Sequence, residues 1–509
     1  MSYMLPILSA VLLALPMLYA KLWPLAWVAL VPLLFELYKP CSLKIFLLKI
    51  FSFSFFYNGI LVAFIFSLSR FISGFTIFSW LGLNLFYSSF FILWGLFAYR
   101  VYTNNIFVVW LIPVSLTLLE ILKVHIGFLP SMDVYYSQVL FLPLVQIASL
   151  FGSHVISLAI YALNQLFAEW WAYKEVVRPK FTFKKNRHYI QAYIIMGLVF
   201  LYIVSWGFRH IDNYISKQSL INKNAIIVQT NVSQEEKLSA KNKAYLFYKQ
   251  IVLINSYTNK DADVILYPED LISSVLDLKF LDKSIHDLNI DDQVHLIFGM
   301  PTFIENKYYN SVLFHNKESE IKVYRKHYLV PFGEYLPFST GLKKHLKYDW
   351  LFQAEFSKSF NSDPVTFRSV NYGVAICIES LFQTLSLYQV KQGAEVLLVL
   401  TNDDWFSKTS ALERHFQYSK FRAIETGRYM LFAANTGVSG IITPLGTEVT
   451  RSNKYSQEII NGNFSLISHK TLYVKQPHLI VFVLFGIFVL LLVSKKYLLS
   501  KDIAEVIEK

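Results

Sequence analysis

Eight apolar runs, at about 3–20, 22–38, 50–69, 75–99, 105–122, 153–173, 189–208 and 477–494, govern what this chain can fold into. Each is long enough to cross a hydrocarbon layer of about 30 Å as a helix, whose backbone groups bond internally where water cannot reach them. With 54% hydrophobic residues among 509 and a mean hydropathy of +0.41, there is too little polar surface to cover a soluble globule. The expected class is therefore a polytopic α-helical membrane domain at 1–210, joined by a further spanning helix at 477–494 and a tail at 495–509. The first run lacks a basic flank and a small-residue cleavage site, and another run follows at once, so it reads as a retained helix.

The net charge of +12 does not indicate nucleic acid: the basic residues are scattered between apolar runs, and no aromatic RNA-binding motif accompanies them. Lipid headgroups and topology account for them better. The link between the sixth and seventh runs carries Lys174, Arg178, Lys180, Lys184, Lys185 and Arg187, and the link between the second and third carries Lys39, Lys44 and Lys49. Basic residues resist translocation, so both links are predicted to be cytoplasmic, as are Lys495 and Lys496 after the last run. Seven spans then place the stretch from about 210 to 475 outside the cytoplasm. The segment 124–152, with Gly127, Pro130 and Pro143, reads as a long extracytoplasmic loop, partly re-entrant. Cys41, in a polar link, and Cys377 fall on opposite sides of the membrane, which excludes a disulfide framework.

Between 220 and 470 the composition becomes that of a globular domain. Short apolar runs at Ala225–Val228, Asp263–Tyr267, Val294–Phe298, Ile321–Tyr324, Tyr372–Ile376, Glu395–Leu400, Met430–Ala434 and Ser439–Thr443 predict strands, and helical patterns at 234–257 and 409–427 lie between them. This alternation predicts an α/β layered domain. Three strand ends deliver reactive groups. Ile265-Leu266-Tyr267-Pro268-Glu269 ends in a carboxylate, Tyr324-Arg325-Lys326 leads to an ammonium and then to Glu334, and Gly373-Val374-Ala375-Ile376-Cys377-Ile378-Glu379 ends in a thiol. Taken singly, such a cysteine is usually a small buried hydrophobe, the glutamate a turn residue and the lysine a solvated charge. Together, a thiol, a base to take its proton and a cation to stabilise an oxyanion make an acyl-transfer set. There is no Gly-rich phosphate loop and no clustered Cys/His set, so neither a metal nor another cofactor is expected.

The runs YPED, KHYLVPFGEYLPF and GVAICIES resemble the Glu, Lys and Cys motifs of the nitrilase superfamily, and LVPFGEYLP is the form typical of its apolipoprotein N-acyltransferase family. The resemblance extends to Tyr309-Asn310-Ser311, to Thr401-Asn402-Asp403-Asp404-Trp405-Phe406 and to Arg422 through Arg428. It implies a nitrilase-like αββα sandwich, with Cys377 as nucleophile, Glu269 as general base and Lys326 as the oxyanion-stabilising cation. Glu334 and Glu379 would support these, while Tyr309, Asn310 and Trp405 would shape the site or its loops. The implied reaction takes an acyl group from a phospholipid, phosphatidylethanolamine above all, to the N-terminal amine of a diacylglyceryl apolipoprotein. The implied setting is a bacterial inner membrane, with the catalytic domain on the periplasmic side. A membrane-tethered nitrilase-like amidase and an inactive lipoprotein-binding paralogue are the alternative readings. The chain departs from the family at Leu238 and Ile378, where aromatics are common, and at Ser407, where glycine is usual. These departures bear on acyl-chain fit and loop behaviour rather than on reaction type.

Overall fold

The structure, a computed structural model, describes residues 3–72, 76–104, 108–126, 132–172, 174–175, 187–217, 223–239, 245–246, 248–249, 252, 262–273, 275, 292–335, 355–406 and 408–507. The chain divides into two compact units, Met1–Tyr214 together with Gln476–Lys509, and Ile215–Lys475.

The first unit is helical. Four of its described helices, Ala20–Tyr38, Leu43–Leu61, Thr76–Tyr102 and Ile194–Ser216, are long and apolar enough to cross a membrane. A fifth is added if Leu142–Phe151 and His154–Ala172, bent by 120° at their junction, count as one span. The runs expected at the two ends of the chain form the shorter apolar helices Met4–Leu18 and Leu479–Val493, and the run at 105–122 lies mostly in the helix Val108–Ile126.

Two of the runs show detail beyond their approximate bounds. The run at 22–38 is not one continuous α-helix: residues Ala20–Trp27, containing Pro24, wind as a 3₁₀ segment, and the α-helix begins at Val31 with Pro32 in its first turn, where its missing N–H costs nothing. The run placed at 50–69 folds as a helix over Leu43–Leu61, because Ser42 caps its N-terminus and Lys49, expected in the polar link, is buried against Glu36. The Lys49 ammonium lies 3.1 Å from Glu36 Oε2 and donates to the Glu36 carbonyl at 2.8 Å, which neutralises a charge that could not otherwise be buried. Within the loop expected at 124–152, the turn Val134–Gln138 is tied to two helices by Glu120 of the helix Val108–Ile126, which accepts hydrogen bonds from Val134 N and Tyr161 Oη. Gly127 and Pro130 lie outside the described residues, as do Arg178, Lys180, Lys184 and Lys185.

The second unit holds two six-stranded sheets. One has the order β12-β1-β2-β3-β4-β5, with β1 at Lys223–Gln229, β2 at Val264–Leu266, β3 at His295–Ile304, β4 at Lys307–Asn316, β5 at Ser319–Arg325 and β12 at Glu458–Phe464. The other has the order β11-β10-β9-β8-β7-β6, with β6 at Val365–Phe367, β7 at Val370–Ile376, β8 at Val396–Thr401, β9 at Met430–Ala434, β10 at Gly440–Ile442 and β11 at Glu448–Arg451. The central strands β1, β2 and β3 run parallel, as do β7, β8 and β9.

Side-chain alternation builds the layers. Ala225 and Ile227 of β1 point into a core that they share with Val374, Ile376, Leu398, Leu400 and Leu431 of the other sheet, so the sheets pack face to face. Ile226 and Val228 point the opposite way, into a second apolar layer. The outer face of the second sheet, with Ala375, Val399 and Phe432, is covered by the helices Gln383–Lys391 and Ala411–Thr426. The helix predicted at 234–257 is seen as the capped turn Gln234–Leu238, and most of residues 240–261 lie outside the described residues. This is the nitrilase-like α/β sandwich expected from the sequence.

Candidate active site

Parallel strands that end together create a rim of free backbone ends, and side chains just past those ends meet there. Glu269 follows β2. Tyr267 still bonds to Ile297 across the ladder, Pro268 ends the donation, and Asp270 turns the chain away with φ +56°. This turn comes so close to β3 that a Cβ on Gly299 would stand 2.6 Å from the Glu269 Cα, so only glycine fits there. Lys326 follows β5, its N–H bonding to the Asn310 carbonyl at 2.8 Å. Cys377 follows β7 and opens the 3₁₀ turn Cys377–Leu381 with φ +54°. A non-glycine residue in that region stores strain of about 1–3 kcal/mol, which the surroundings must hold in place.

The polar groups converge on one buried cluster. Lys326 Nζ lies 2.9 Å from Glu334 Oε1 and 3.5 Å from Glu269 Oε1. Asn310 Nδ2 donates to both of those oxygens, at 2.7 Å to Glu269 and 2.8 Å to Glu334. The other oxygen of Glu269 accepts from the backbone N–H of Asn402, just past β8, at 2.8 Å. Glu334 is fixed by the N–H of Val330 at 2.9 Å. Glu379 serves as a brace: its carboxylate accepts from the N–H groups of Ile376, His327 and Tyr328 and from the Tyr324 hydroxyl, and so joins the turn carrying the thiol to the chain just after Lys326.

Burial raises the carboxyl of Glu269 above its ordinary value; the Lys326 charge opposes this and Glu334 reinforces it. Burial pulls Lys326 down, but Glu334 and Glu269 outweigh it and hold the ammonium well above its ordinary range. Burial and the Glu269 charge push the Cys377 thiol up, with Lys326 pulling against them. Burial lifts Glu379 to about 7, against Lys326 and its three backbone donors. The resting site therefore holds a neutral thiol beside a carboxylate of raised basicity and a fixed cation, which is the arrangement that general-base activation requires.

The basicity of Glu269 sets a pH dependence. As a general base Glu269 would work ionised, and its proton affinity is raised above the ordinary value of 4.5. Acylation of Cys377 is expected to fall as the pH drops through a midpoint above 4.5, and a pH–rate profile of acyl-enzyme formation checks this. A midpoint at or below 4.5 would count against Glu269 as the base.

Of the residues singled out in the sequence, Glu269, Lys326, Cys377, Glu334, Glu379 and Asn310 are brought together by these contacts. Tyr309 alternates with Asn310 along β4, and its ring lies under the Arg325 guanidinium at 4.8 Å. Trp405 sits in the 3₁₀ turn Asp403–Phe406 that follows β8. Leu238 is exposed at the end of its turn, Ile378 packs on the outer core of the second sheet, and Ser407 lies outside the described residues. Sequence reasoning missed Gly299, the Asn402 N–H and His415; the first two act through backbone, which leaves little mark on a sequence.

Two stretches of the chain match known families. Residues 227–466 match the carbon-nitrogen hydrolase family, and residues 9–166 match the apolipoprotein N-acyltransferase N-terminal domain. The second of these is named for the apolipoprotein N-acyltransferases, and the curated relatives carry the same name. It is similar to the apolipoprotein N-acyltransferase of Nitrosomonas europaea, at 32% identity over 39% of this chain and 40% of that one. It is also similar to the apolipoprotein N-acyltransferase of Aquifex aeolicus, at 30% identity over 53% of this chain and 59% of that one. The chain thus spans about half the length of these two relatives. Among solved structures it resembles Saccharomyces cerevisiae Nit3, a member of branch 10 of the nitrilase superfamily, with a TM-score of 0.37 and 16% identity over 51% of this chain and 95% of that one.

Proposed function

We propose that this protein moves a fatty acyl group from a membrane phospholipid, phosphatidylethanolamine in the first instance, onto the α-amine of a diacylglyceryl-cysteine at the start of an apolipoprotein. The observation that carries the reading is the buried cluster of Glu269, Lys326 and Glu334 beside the thiol of Cys377. In the first step Glu269 takes the thiol proton and the sulfur attacks the ester carbonyl. Lys326 stabilises the oxyanion. The ester C–O bond then breaks, and the proton on Glu269 passes to the departing lysophospholipid oxygen. In the second step the amine attacks the thioester, Glu269 accepts a proton from the attacking nitrogen, the C–S bond breaks and the thiol is restored.

The membrane unit suits these substrates. Moving an acyl chain into water costs about 0.8 kcal/mol for each CH₂, so a catalytic domain tethered to spanning helices avoids extracting either the donor lipid or the lipid-anchored acceptor. The setting proposed is a bacterial inner membrane with the domain Ile215–Lys475 on the periplasmic side, supported by the Lys/Arg-rich stretch 174–187. Reporters fused after Lys185 and after Asn316 are expected to read cytoplasmic and periplasmic respectively, and the reverse pattern would exclude a periplasmic acceptor.

The reaction is tested with acyl-labelled phosphatidylethanolamine and a diacylglyceryl lipopeptide. Without the peptide, label is expected on the protein and released by hydroxylamine, as a thioester requires. With it, mass spectrometry should find the peptide N-terminus acylated. Free fatty acid as the sole product in both arms would favour the amidase-like hydrolase instead.

A further inference from the structure

We propose that His415, held by Asp403, is a positioning residue that clamps the carbonyl of Cys377 and so keeps the nucleophile's left-handed backbone in place. The acyl-transfer mechanism leaves this histidine unused, although it is buried directly against the nucleophile's turn. On the helix Ala411–Thr426, its Nε2 stands 3.1 Å from the Cys377 carbonyl oxygen and 2.8 Å from Ser380 Oγ. Its Nδ1 stands 2.8 Å from Asp403 Oδ1.

Counting protons fixes the direction of these bonds. A carbonyl has none to give, so Nε2 donates. Asp403 Oδ1 already accepts the Thr401 hydroxyl at 2.7 Å, so Nδ1 donates as well. Ser380 Oγ, which accepts from the Ser419 hydroxyl at 3.0 Å, shares the Nε2 side of the ring with the Cys377 carbonyl. A ring donating at both nitrogens is an imidazolium. Burial pulls it down, but Asp403 overrides the pull and raises its proton affinity above the ordinary value. Asp403 and Cys377 face the ring, and the charge of Glu269 reaches it from farther away.

The consequence concerns a strained residue. Cys377 at φ +54° is not glycine, so its surroundings must hold the turn, and a charged donor on its carbonyl is a stronger hold than a neutral one. Asp403 and the thiol sit on successive strand ends, after β8 and β7, so the helix carrying His415 locks two parts of the rim together.

The inference rests on the acyl-transfer reading only in taking Cys377 as the nucleophile, and its test needs no lipid. In the full-length protein carrying Cys41→Ala, the rate of Cys377 alkylation by N-ethylmaleimide is measured for the parent and for His415→Gln, His415→Asn and His415→Leu. A glutamine amide reaches the Nε2 position and keeps a donor on the carbonyl, whereas asparagine reaches only the Asp403 side. The glutamine variant is expected within about threefold of the parent, and the asparagine and leucine variants about 10- to 100-fold slower. The same order should appear in the rate of acyl-enzyme formation at saturating phospholipid, with KM unchanged. Equal labelling of the glutamine and asparagine variants would overturn the clamp, as would failure of the glutamine variant to fold. If acyl transfer is not observed but the labelling order holds, the clamp stands and the functional reading falls.

Discussion

Replacing Cys377 by alanine is expected to abolish acyl transfer, by about 10⁵-fold or more, while leaving the protein folded. The size of the effect follows from the proposed reaction, in which both bond exchanges pass through this sulfur and no neighbouring group can replace it. Glu269 and Glu334 are occupied with Lys326 and Asn310, and the Ser380 hydroxyl is held by His415 and Ser419. The stability cost is small, because alanine at φ +54° bears much the same strain as cysteine and gives up a single buried atom. Labelled phospholipid should leave label on the wild type and none on Cys377→Ala. Equal label on both proteins would remove Cys377 from the site.

Lys326→Met is the second large effect, and here activity and stability fall together. The ammonium is almost fully buried, with Glu334 at 2.9 Å and Glu269 at 3.5 Å. Losing an oxyanion donor costs about 10²–10³-fold in rate. The two carboxylates are then left buried without their cation, a loss of about 3–5 kcal/mol, unless one of them takes up a proton. Protonation of Glu269 would remove the base as well, so the rate is expected to fall below the loss of the donor alone. A second change separates the two causes. In Lys326→Met with Glu334→Gln, one charge is gone; thermal unfolding should recover most of the lost stability, whereas activity should stay low. Recovery of turnover in the double variant would mean that Lys326 serves only to neutralise charge.

Much of this site could be read from the sequence because its side chains sit just past apolar strands. The apolar run and proline before Glu269, and the run before Cys377, mark strand ends directly. His415 escaped notice because a histidine inside an amphipathic helix looks the same whether it fills a core or holds a catalytic turn; what sets it apart is Asp403 and the Cys377 carbonyl, both brought to it by the fold. Strands β4, β6, β11 and β12 were not predicted, the last two for a related reason. Glu448–Arg451 and Glu458–Phe464 lie at the sheet edges and interleave exposed positions with partly buried ones, and in β12 with the buried Ile460 and Phe464, so they lack the continuous apolar runs that announced β7, β8 and β9. In the membrane unit the apolar runs located the helices but not their ends, which depend on Ser42, Pro32 and the burial of Lys49 against Glu36.

The pairing of β1 with β12 has a mechanical consequence. The strand by which the chain enters the sandwich and the strand by which it leaves are antiparallel neighbours, and Lys223 stands opposite Phe464 at the end where both connect onward. Tension applied through those two connections must first strip the segment after β12, where Ile467 N bonds to the Glu395 carbonyl and Arg428 donates to the His469 carbonyl; it then opens the ribbon a rung at a time from Lys223 and Phe464 toward Gln229 and Glu458 rather than all at once. The farthest rung is the best secured, since the Gln229 amide also donates to the carbonyls of Asn453 and Ser456. A sandwich pulled through those two connections should therefore hold until the anchor after β12 gives, then open at the outer rungs and stall before Gln229, with the strand ends that carry Glu269 and Cys377 still in register.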